Sequence, residues 1–558
     1  MRGHYRLENK TTAPIDELFV HFEHMDKVKK LDFAPHSVAK RDKDYELEIY
    51  KLATPMAPGA AMDFDFEIEL GQDGFSVDGG EKRIVYNGTF FNSAELPQFG
   101  YRERGQLSDR NDRRKYGLPE LPRMAPIDDM KARCDTYISR DADWVDFETT
   151  VSTVPDQTAL APGYLQREWT AKDAAGHDRR YFQYKSDTKI LNFFSWLSAR
   201  WAVKKDHWND VAIEIYYDPQ HAYNVDRMIE SVKKSLDYYT KNFSPYQFRQ
   251  VRILEFPNYA TFAQSFANTI PYSESIGFIA DLSDKDAVDY VFYVTAHEVA
   301  HQWWAHQVIG ANVQGATMLS ESFAQYSALM VMEHEYGAGQ MRKFLKYELD
   351  RYLATRATER VKENPLALNE NQQYIHYNKA SVVLYALKDY IGEDTLNAAL
   401  AAFIKAKAFQ QPPYTTSYEF LDTLRAGTDP KWAGLIDDLF NKITFFDNRV
   451  TRATAKKRAD GKYDLTLELH AEKKYTDGVG KESDGKIDLP IDIGVFAKAA
   501  DGKEANQKVL YLEKREIKDG DSTITLTVDG EPYEAGIDPY NKLVDRNSND
   551  NRKKVTVE

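Results

Sequence analysis

His297, Glu298 and His301 form the part of the sequence whose residue types and spacing are best suited to chemistry. On a helix, residues four apart lie on one face about 6 Å from each other, so both imidazoles can bind a single metal ion. Glu298, rotated by about 100° from its neighbour, then faces a water molecule at that metal. Zinc bound by two histidines and one carboxylate keeps its fourth position for water, as a catalytic site requires. This stretch therefore predicts a zinc-hydrolase site.

A second helix should supply the third ligand, because Glu321 stands in the first turn of an apolar helical pattern from Thr317 to Tyr336. A histidine pair with this spacing is by itself common in a long chain and usually means two partly exposed side chains. The metal interpretation is favoured by Glu298, by the apolar flanks in TAHEVAHQWW and by the nearby carboxylate. His306, five residues past His301, points to another face of the helix and is expected to pack rather than to bind metal.

Length and composition limit the possible classes of protein. A chain of 558 residues is too long for one hydrophobic core and should divide into about three domains. The net charge of −14 argues against nucleic-acid binding, which needs patches of Lys and Arg, and favours cationic ligands such as free peptide N-termini. The single cysteine, Cys134, excludes an intrachain disulfide. Because no run approaches eighteen apolar residues, we expect this chain to be soluble.

The periodicity of the apolar residues predicts three regions. Residues 1–218 mostly alternate with a period of two, as in AMDFDFEIEL, which predicts an N-terminal all-β domain. Near residue 219 the period becomes helical, in HAYNVDRMIESVKKSLDYYTKNF. Strand-like VRILEF and SIGFIA follow, and a helix is expected to begin near Asp286 and run through the histidine motif. Strands followed by many helices predict a thermolysin-like catalytic α+β domain over residues 219–446.

The last hundred residues alternate again, in YDLTLEL, KIDLPIDIGVF and STITLTV, with Asp-Gly turns between the strands. This pattern predicts a small C-terminal β-sandwich over residues 447–558. The predicted fold class is thus a multidomain α+β protein with no C-terminal helical domain.

The stretch HEVAHQWWAHQVIGANVQGATMLSESFAQYSAL resembles the aminopeptidase N family of zinc gluzincins. That family has HExxH, eighteen residues and then Glu, whereas nineteen residues separate His301 from Glu321 here. Either a one-residue bulge lies in the loop Gly310 to Gly315 or the second helix starts differently. The family commonly carries a further helical domain that covers the site. Without such a domain, we expect a more open cleft or one closed by a partner subunit.

The resemblance also implies residues that bind the substrate amine. The family has a Gly-Ala-Met-Glu-Asn strand before its zinc helix, whose Glu binds the free α-amine. At about two dozen residues before the helix this chain has PYSES, which retains Glu274. A carboxylate there would fix one terminal ammonium group and so give exopeptidase specificity. Pro271 has no N–H to donate, which puts the family's way of extending the substrate along this strand in doubt. The family's second amine contact, from its N-terminal domain, falls near Asn92.

A later motif of the family, Tyr-Glu-Lys-Gly, corresponds to Tyr377-Asn378-Lys379-Ala380. In the family its tyrosine supports the transition state. A phenol near zinc can donate a hydrogen bond to the developing oxyanion, an interaction worth about 3 kcal/mol. The competing tyrosine is Tyr374.

The resemblance implies a zinc-dependent aminopeptidase that holds one Zn²⁺ per chain and acts on peptides with a free N-terminus. A gluzincin endopeptidase and a non-catalytic peptide-sensing module of a transporter are the alternatives. In its residue sequence the motif is most similar to the aminopeptidase half of certain bacterial membrane proteins. In those proteins an ABC-transporter-permease-like segment precedes the peptidase. That similarity, with the abrupt start MRGHYRLENKTTAP, predicts a fragment of a protein tethered to a bacterial inner membrane by an N-terminal segment. A complete cytoplasmic protein is the alternative.

Overall fold

The computed structural model describes residues 1–23, 26–44, 46–71, 74, 83–101, 105–141, 144–284 and 286–558. Along these residues the chain has a β-rich N-terminal region, a mainly helical middle region and a second β-rich region at the C-terminal end. This order agrees with the periodicity of the sequence. Within the described residues, no helix is both long enough and apolar enough to cross a membrane.

The N-terminal region is built from antiparallel strands, and the strand Ala61–Leu70 buries alternate side chains in its second half. Phe64, Phe66 and Ile68 point into the core from a strand that pairs on both sides, so their alternation with acidic residues reflects one buried face. The strands are β1 (Arg2–Glu8), β2 (Ile15–His21), β3 (Asp26–Phe33), β4 (His36–Asp42), β5 (Leu47–Met56), β6 (Ala61–Leu70), β7 (Thr89–Asn92), β8 (Gln98–Phe99), β9 (Trp144–Val145), β10 (Glu148–Thr153), β11 (Thr158–Leu160), β12 (Tyr164–Lys172), β13 (Asp178–Lys185), β14 (Ile190–Leu191) and β15 (Ser195–Ala199), with a short helix α1 (Arg110–Lys115).

A four-stranded sheet crosses the predicted domain boundary at residue 218. Its order is β16 (Ala202–Trp208), β17 (Val211–Tyr217), β18 (Gln250–Phe256) and β19 (Thr269–Ser273). Strands β17, β18 and β19 run parallel, so β17 and β18 need a crossover, and helix α2 (Val225–Asn242) supplies it. Residues 202–217 therefore belong structurally with the helical region, because their partner strands lie there.

The prediction of a strand at SIGFIA is wrong. The strand β19 covers the preceding TIPYS, and residues 275–279 form turns. The Asn224 side chain holds these turns in place, because its Nδ2 donates to Gly277 O at 2.7 Å and to Ala280 O at 2.9 Å. Apolar residues here fill the core from a turn, which the two-residue periodicity cannot distinguish from a strand.

Residues 262–266 pair antiparallel with β19 on the side away from β18. Ser273 N donates to Phe262 O, and Gln264 N donates to Pro271 O, each at 3.0 Å. This pairing makes 262–266 the outer edge of the sheet, so the missing N–H of Pro271 does not face a substrate groove. Across the described chain, no hydrogen bond uses the N–H or C=O of Ala263, as expected for a residue that points its backbone away from β19.

The remaining helices pack around the histidine motif. Asp289 caps the first of them by accepting from Phe292 N at 3.0 Å, so this helix begins at Tyr290 rather than near Asp286. Trp303 and Trp304, just past its end, are fully buried in the core. The helices are α3 (Tyr290–Ala300), α4 (Phe323–Tyr336), α5 (Met341–Arg356), α6 (Ala380–Ile391), α7 (Glu393–Lys407), α8 (Ser417–Ala426) and α9 (Ala433–Phe440).

The C-terminal region has two sheets, one with β22-β21-β20-β28 and β25 beside β21, the other with β24-β23-β26-β27. Leu465, Leu467 and Leu469 are buried in alternation with polar residues, as the sequence pattern requires. The strands are β20 (Ile443–Lys457), β21 (Tyr463–Thr476), β22 (Glu482–Gly485), β23 (Ile491–Phe496), β24 (Val509–Arg515), β25 (Gly520–Val528), β26 (Glu534–Ile537), β27 (Arg552–Lys554) and β28 (Thr556–Val557).

Candidate active site

Three side chains converge at the end of α3. His297 Nε2 lies 3.1 Å from His301 Nε2, and Glu321 Oε2 lies 3.4 Å and 3.3 Å from these two nitrogens. Around a tetrahedral zinc ion with bonds of about 2.0–2.1 Å, neighbouring ligand atoms would lie about 3.3–3.4 Å apart. The spacing and the donor set of two imidazoles and one carboxylate therefore fit a zinc ion.

The hydrogen bond of His301 and the ionisation of Glu321 also suit a cation. His301 Nδ1 donates to the Trp304 carbonyl at 3.0 Å, which leaves a lone pair on Nε2. Burial opposes ionisation of Glu321, but the two imidazoles hold the pKa of this carboxyl well below its usual range. The Glu321 Oε2 atom is buried without a hydrogen-bond partner in the described part of the chain. A cation between these atoms would stabilise all three.

Glu321 lies on a π-helical turn, Met318–Ser322, directly before α4. Its wider i→i+5 bonding takes more residues per turn than an α-helix. The π turn therefore favours a different start of the second helix, rather than a bulge in the loop Gly310 to Gly315, as the cause of the nineteen-residue spacing. Ser322 Oγ donates to His376 O at 2.8 Å and so ties this turn to a second π-helical turn, Tyr374–Lys379.

Tyr377 sits on that second turn, with its ring centroid 5.8 Å from that of His297. Burial and, next, the Glu321 carboxylate raise the pKa of the Tyr377 phenol, so it stays protonated and can donate a hydrogen bond. Tyr374 points elsewhere, because its hydroxyl donates to Glu359 Oε2 at 2.8 Å. Of the two tyrosines considered from the sequence, the structure brings Tyr377 to the cluster.

Two buried carboxylates hold the turn that carries Tyr377. Asn378 Nδ2 donates to Glu348 Oε2 at 2.6 Å, and Lys379 Nζ lies 3.2 Å from Glu363 Oε1. The turn is therefore anchored, at the two residues directly after Tyr377, to α5 and to the segment that follows α5.

Glu298 is buried beside the three converging groups, with 6% of its surface exposed. Burial raises the pKa of its carboxyl, although His301 and His297 partly oppose this effect. In the described residues its Oε2 has no hydrogen-bond partner. A carboxylate with a free oxygen and a raised pKa is suited to accept a proton.

Glu274 and Asn92 lie in other surroundings. Glu274 Oε1 accepts from Asn258 N at 3.0 Å, and its Oε2 lies 4.0 Å from His221 Nδ1, which pairs with Glu255. Among the described residues, no hydrogen bond or ion pair joins Glu274 to the three converging groups. Asn92 ends β7, and its side chain accepts from Ala94 N at 3.0 Å.

His306 is a packing residue, as its position in the sequence suggested. Its Nε2 donates to Ser265 O at 3.0 Å. Burial lowers the pKa of its imidazole to about 4, so it stays neutral.

Two residues near the cluster were not predicted from the sequence. Gln302, next to His301, donates to Phe266 O and accepts from Asn268 N, each at 2.9 Å, which ties the end of α3 to the edge segment 262–266. Tyr137 reaches the π turn of Glu321 from the N-terminal region. The position of Gln302 directly after a proposed ligand is a weak sequence signal for its role. No local sequence pattern indicates the role of Tyr137.

Comparison with known proteins identifies the region that carries this cluster. Residues 227–441 match the model of the peptidase family M1 domain. This region of the chain belongs to peptidase family M1. The M1 domain holds His297, Glu298, His301, Glu321 and Tyr377, and the match confirms the resemblance to the aminopeptidase N family.

Several known proteins are similar to part of this chain. Human endoplasmic reticulum aminopeptidase 2 is 25% identical over 209 residues, which are 36% of this chain and 22% of that protein. Probable aminopeptidase 1 of Sulfurisphaera tokodaii is 26% identical over 189 residues, 32% of this chain and 24% of its own length. Human endoplasmic reticulum aminopeptidase 1 is 21% identical over 272 residues, 47% of this chain and 29% of that protein. The matched regions thus span less than a third of each relative.

Proposed function

We propose that this protein is a zinc-dependent aminopeptidase that hydrolyses the N-terminal peptide bond of peptides. The observation that carries the proposal is the convergence of His297 Nε2, His301 Nε2 and Glu321 Oε2 within 3.1–3.4 Å, inside an M1 domain. The names of the relatives support the aminopeptidase activity. The three residues would hold one Zn²⁺, which would polarise the scissile carbonyl and lower the pKa of a water molecule.

The chain's own side chains would then move the protons and stabilise charge. Glu298 takes the proton from the attacking water and passes it to the departing amine. The Tyr377 hydroxyl donates a hydrogen bond to the oxyanion that develops on the scissile carbonyl. Its raised pKa supports this role, because the phenol keeps its proton near neutral pH.

The unbonded backbone of Ala263, in segment 262–266, is the proposed binding site for the peptide backbone. The Ala263 N–H and C=O make no hydrogen bond within the described chain, and the neighbouring Ser265 contacts Gln302, directly after His301. An extended peptide that adds as a strand to this edge would lie beside the metal ligands.

Replacing Tyr377 by Phe should lower kcat by about 100-fold, because the transition state loses one hydrogen bond worth about 3 kcal/mol. KM should change little, since the bond forms mainly as the oxyanion develops. Steady-state kinetics with an aminoacyl-coumarin substrate measure both constants. Tyr374→Phe is the matched control, because its hydroxyl serves Glu359. Equal kcat values for the Tyr377→Phe and wild-type proteins would remove Tyr377 from the mechanism.

An endopeptidase is the second candidate function, and the position of Glu274 favours it. An aminopeptidase needs an anion for the substrate ammonium, and the family resemblance assigns this role to Glu274, with a second contact from Asn92. In the structure the Glu274 carboxylate instead accepts from Asn258 N. Because Oε1 accepts this backbone bond, an amine would have to bind at Oε2, which lies 4.0 Å from His221 Nδ1. An endopeptidase would not need an anion that binds the substrate ammonium group.

Paired peptides with free and acetylated N-termini distinguish the two candidates. We expect a free peptide to be cleaved with a kcat/KM about 10- to 100-fold higher than its N-acetylated form, since a charge-assisted hydrogen bond contributes about 1.5–3 kcal/mol. Mass spectrometry of the products gives the cleaved bond and the rate. Internal cleavage at equal rates in both peptides would establish the endopeptidase instead. In the Glu274→Gln protein, a smaller preference for the free peptide would assign the amine contact to Glu274.

A peptide-sensing module without catalysis is the third reading of the sequence. Glu298 argues against it, because peptide binding alone does not require a buried proton acceptor beside the metal ligands. Tethering to a membrane through an N-terminal segment stays a prediction from the resemblance.

A further inference from the structure

A segment of the N-terminal region lies along the connection between the metal ligands. Residues 123–139, here called the strap, run beside residues 311–314, which join α3 to the π turn of Glu321. Gln314 N donates to Ala125 O, and Asn312 N donates to Asp135 O, each at 2.9 Å. These backbone bonds make the strap part of the framework that carries the third ligand.

Arginine side chains fix the strap to the M1 domain at two points. Arg123 lies 2.9 Å from Glu359 Oε2 and donates to Lys362 O at 2.7 Å. Arg133 donates to Tyr414 O at 3.0 Å and also pairs with Glu419. Because both ends are anchored, the strap is a fixed element on the M1 domain, and its side chains have defined positions.

Tyr137 is the strap residue that reaches the metal centre. Its hydroxyl donates to Ser320 Oγ at 2.6 Å, across 183 positions of sequence. Ser320 has 1% of its surface exposed and directly precedes Glu321.

The π turn that carries Glu321 depends on such outside bonds for its orientation. Thr317, which precedes the turn, makes no capping hydrogen bond to it with its side chain. The turn is held instead by Ser322 on the side of Tyr377 and by Ser320 on the side of the strap. These two side-chain bonds hold the turn from opposite sides, beside its own backbone bonds.

We propose that Tyr137 is a positioning residue for the metal centre, which through Ser320 holds the π turn so that Glu321 points at His297 and His301. The N-terminal region thereby takes part in metal binding, although the three proposed ligands lie outside it. This inference rests on the proposed zinc site and concerns binding of the metal, not hydrolysis itself.

The Tyr137→Phe protein tests the inference, because it keeps the ring and loses only the hydroxyl. We expect its Kd for Zn²⁺ to rise about tenfold, the size of effect found when partners of metal ligands are removed. Competition with a chromophoric chelator measures this Kd. The visible spectrum of the Co²⁺-loaded protein should also change, since a rotated carboxylate alters the ligand field. A purely structural role for Tyr137 would leave that spectrum unaltered.

A double-mutant cycle with Ser320→Ala identifies the hydrogen bond as the cause. Ser320→Ala alone should weaken Zn²⁺ binding as much as Tyr137→Phe, and the double variant should be no weaker than either. Tyr184→Phe is the matched control, because its buried hydroxyl donates to Ala159 O at 2.9 Å in the N-terminal region. The control should bind Zn²⁺ as the wild type does.

An unchanged Zn²⁺ affinity and Co²⁺ spectrum in Tyr137→Phe would overturn the inference, as would effects that add fully in the double variant. The test of the Tyr137 role can be distinguished from the test of the proposed peptidase activity. A protein that binds one Zn²⁺ but cleaves no peptide would refute the function and leave the role of Tyr137 to be decided by the affinities. A wild-type protein that binds no Zn²⁺ would refute both.

Discussion

Replacing Glu298 by Gln should lower kcat by about 10³-fold while Zn²⁺ stays bound at one per chain. The amide has nearly the shape of the carboxylate but cannot accept the proton of the attacking water, and general-base catalysis contributes about 10²- to 10⁴-fold. Glu298 is not among the three groups that converge on the metal position, so binding should survive. Steady-state kinetics with elemental analysis of the same sample measure both quantities.

Glu333→Gln is a suitable control for this variant. Glu333 lies on α4, in the same helical region. Its Oε2 lies 2.6 Å from Lys388 Nζ, so its carboxylate forms an ion pair that does not involve the metal cluster. It should keep the wild-type kcat. If the Glu298→Gln protein holds its zinc and turns over at the wild-type rate, Glu298 is not the base.

The convergence of His297, His301 and Glu321 was predictable because most of its geometry is local. His297 and His301 are four residues apart on one helix, and Glu321 follows within one connection, so spacing alone brings them close. Tyr377 was predictable from the resemblance of a short motif. What the sequence did not reveal is the form of the backbone there, since both Glu321 and Tyr377 lie on π-helical turns.

The sheet beside the cluster was less predictable, because its pairing joins distant or irregular segments. The sequence pattern favoured a strand at SIGFIA, whereas the strand β19 is Thr269–Ser273. Pro271 fits in β19 because its carbonyl accepts from Gln264 N, although it has no N–H to donate. The segment 262–266 forms the outer edge, although its apolar residues do not alternate regularly. Register and edges depend on which strands meet, and a single sequence contains no record of that.

The contact of Tyr137 with Ser320 and the surroundings of Glu274 could not be predicted from the sequence. The bond from Tyr137 to Ser320 depends on how the N-terminal region lies on the M1 domain. Glu274 was placed by a five-residue motif of which one residue matched, and its partners in the structure are Asn258 and the His221–Glu255 pair. Long-range packing decides both positions.

Removing the metal should abolish hydrolysis, the largest effect that the proposal predicts. Without a cation, the buried Glu321 carboxylate and two imidazoles face one another, and nothing polarises the substrate carbonyl. Activity should return on addition of Zn²⁺. The Glu321→Gln protein should not recover at the same Zn²⁺ concentration, because it lacks the anionic ligand.

Titration of the chelator-stripped protein with Zn²⁺, followed by hydrolysis of an aminoacyl-coumarin, is the most direct test of the central claim. The proposed site predicts no hydrolysis in the stripped protein and a linear rise that ends at one Zn²⁺ per chain. Full hydrolysis by the metal-free protein, or none at any Zn²⁺ concentration, would contradict a zinc aminopeptidase built on His297, His301 and Glu321.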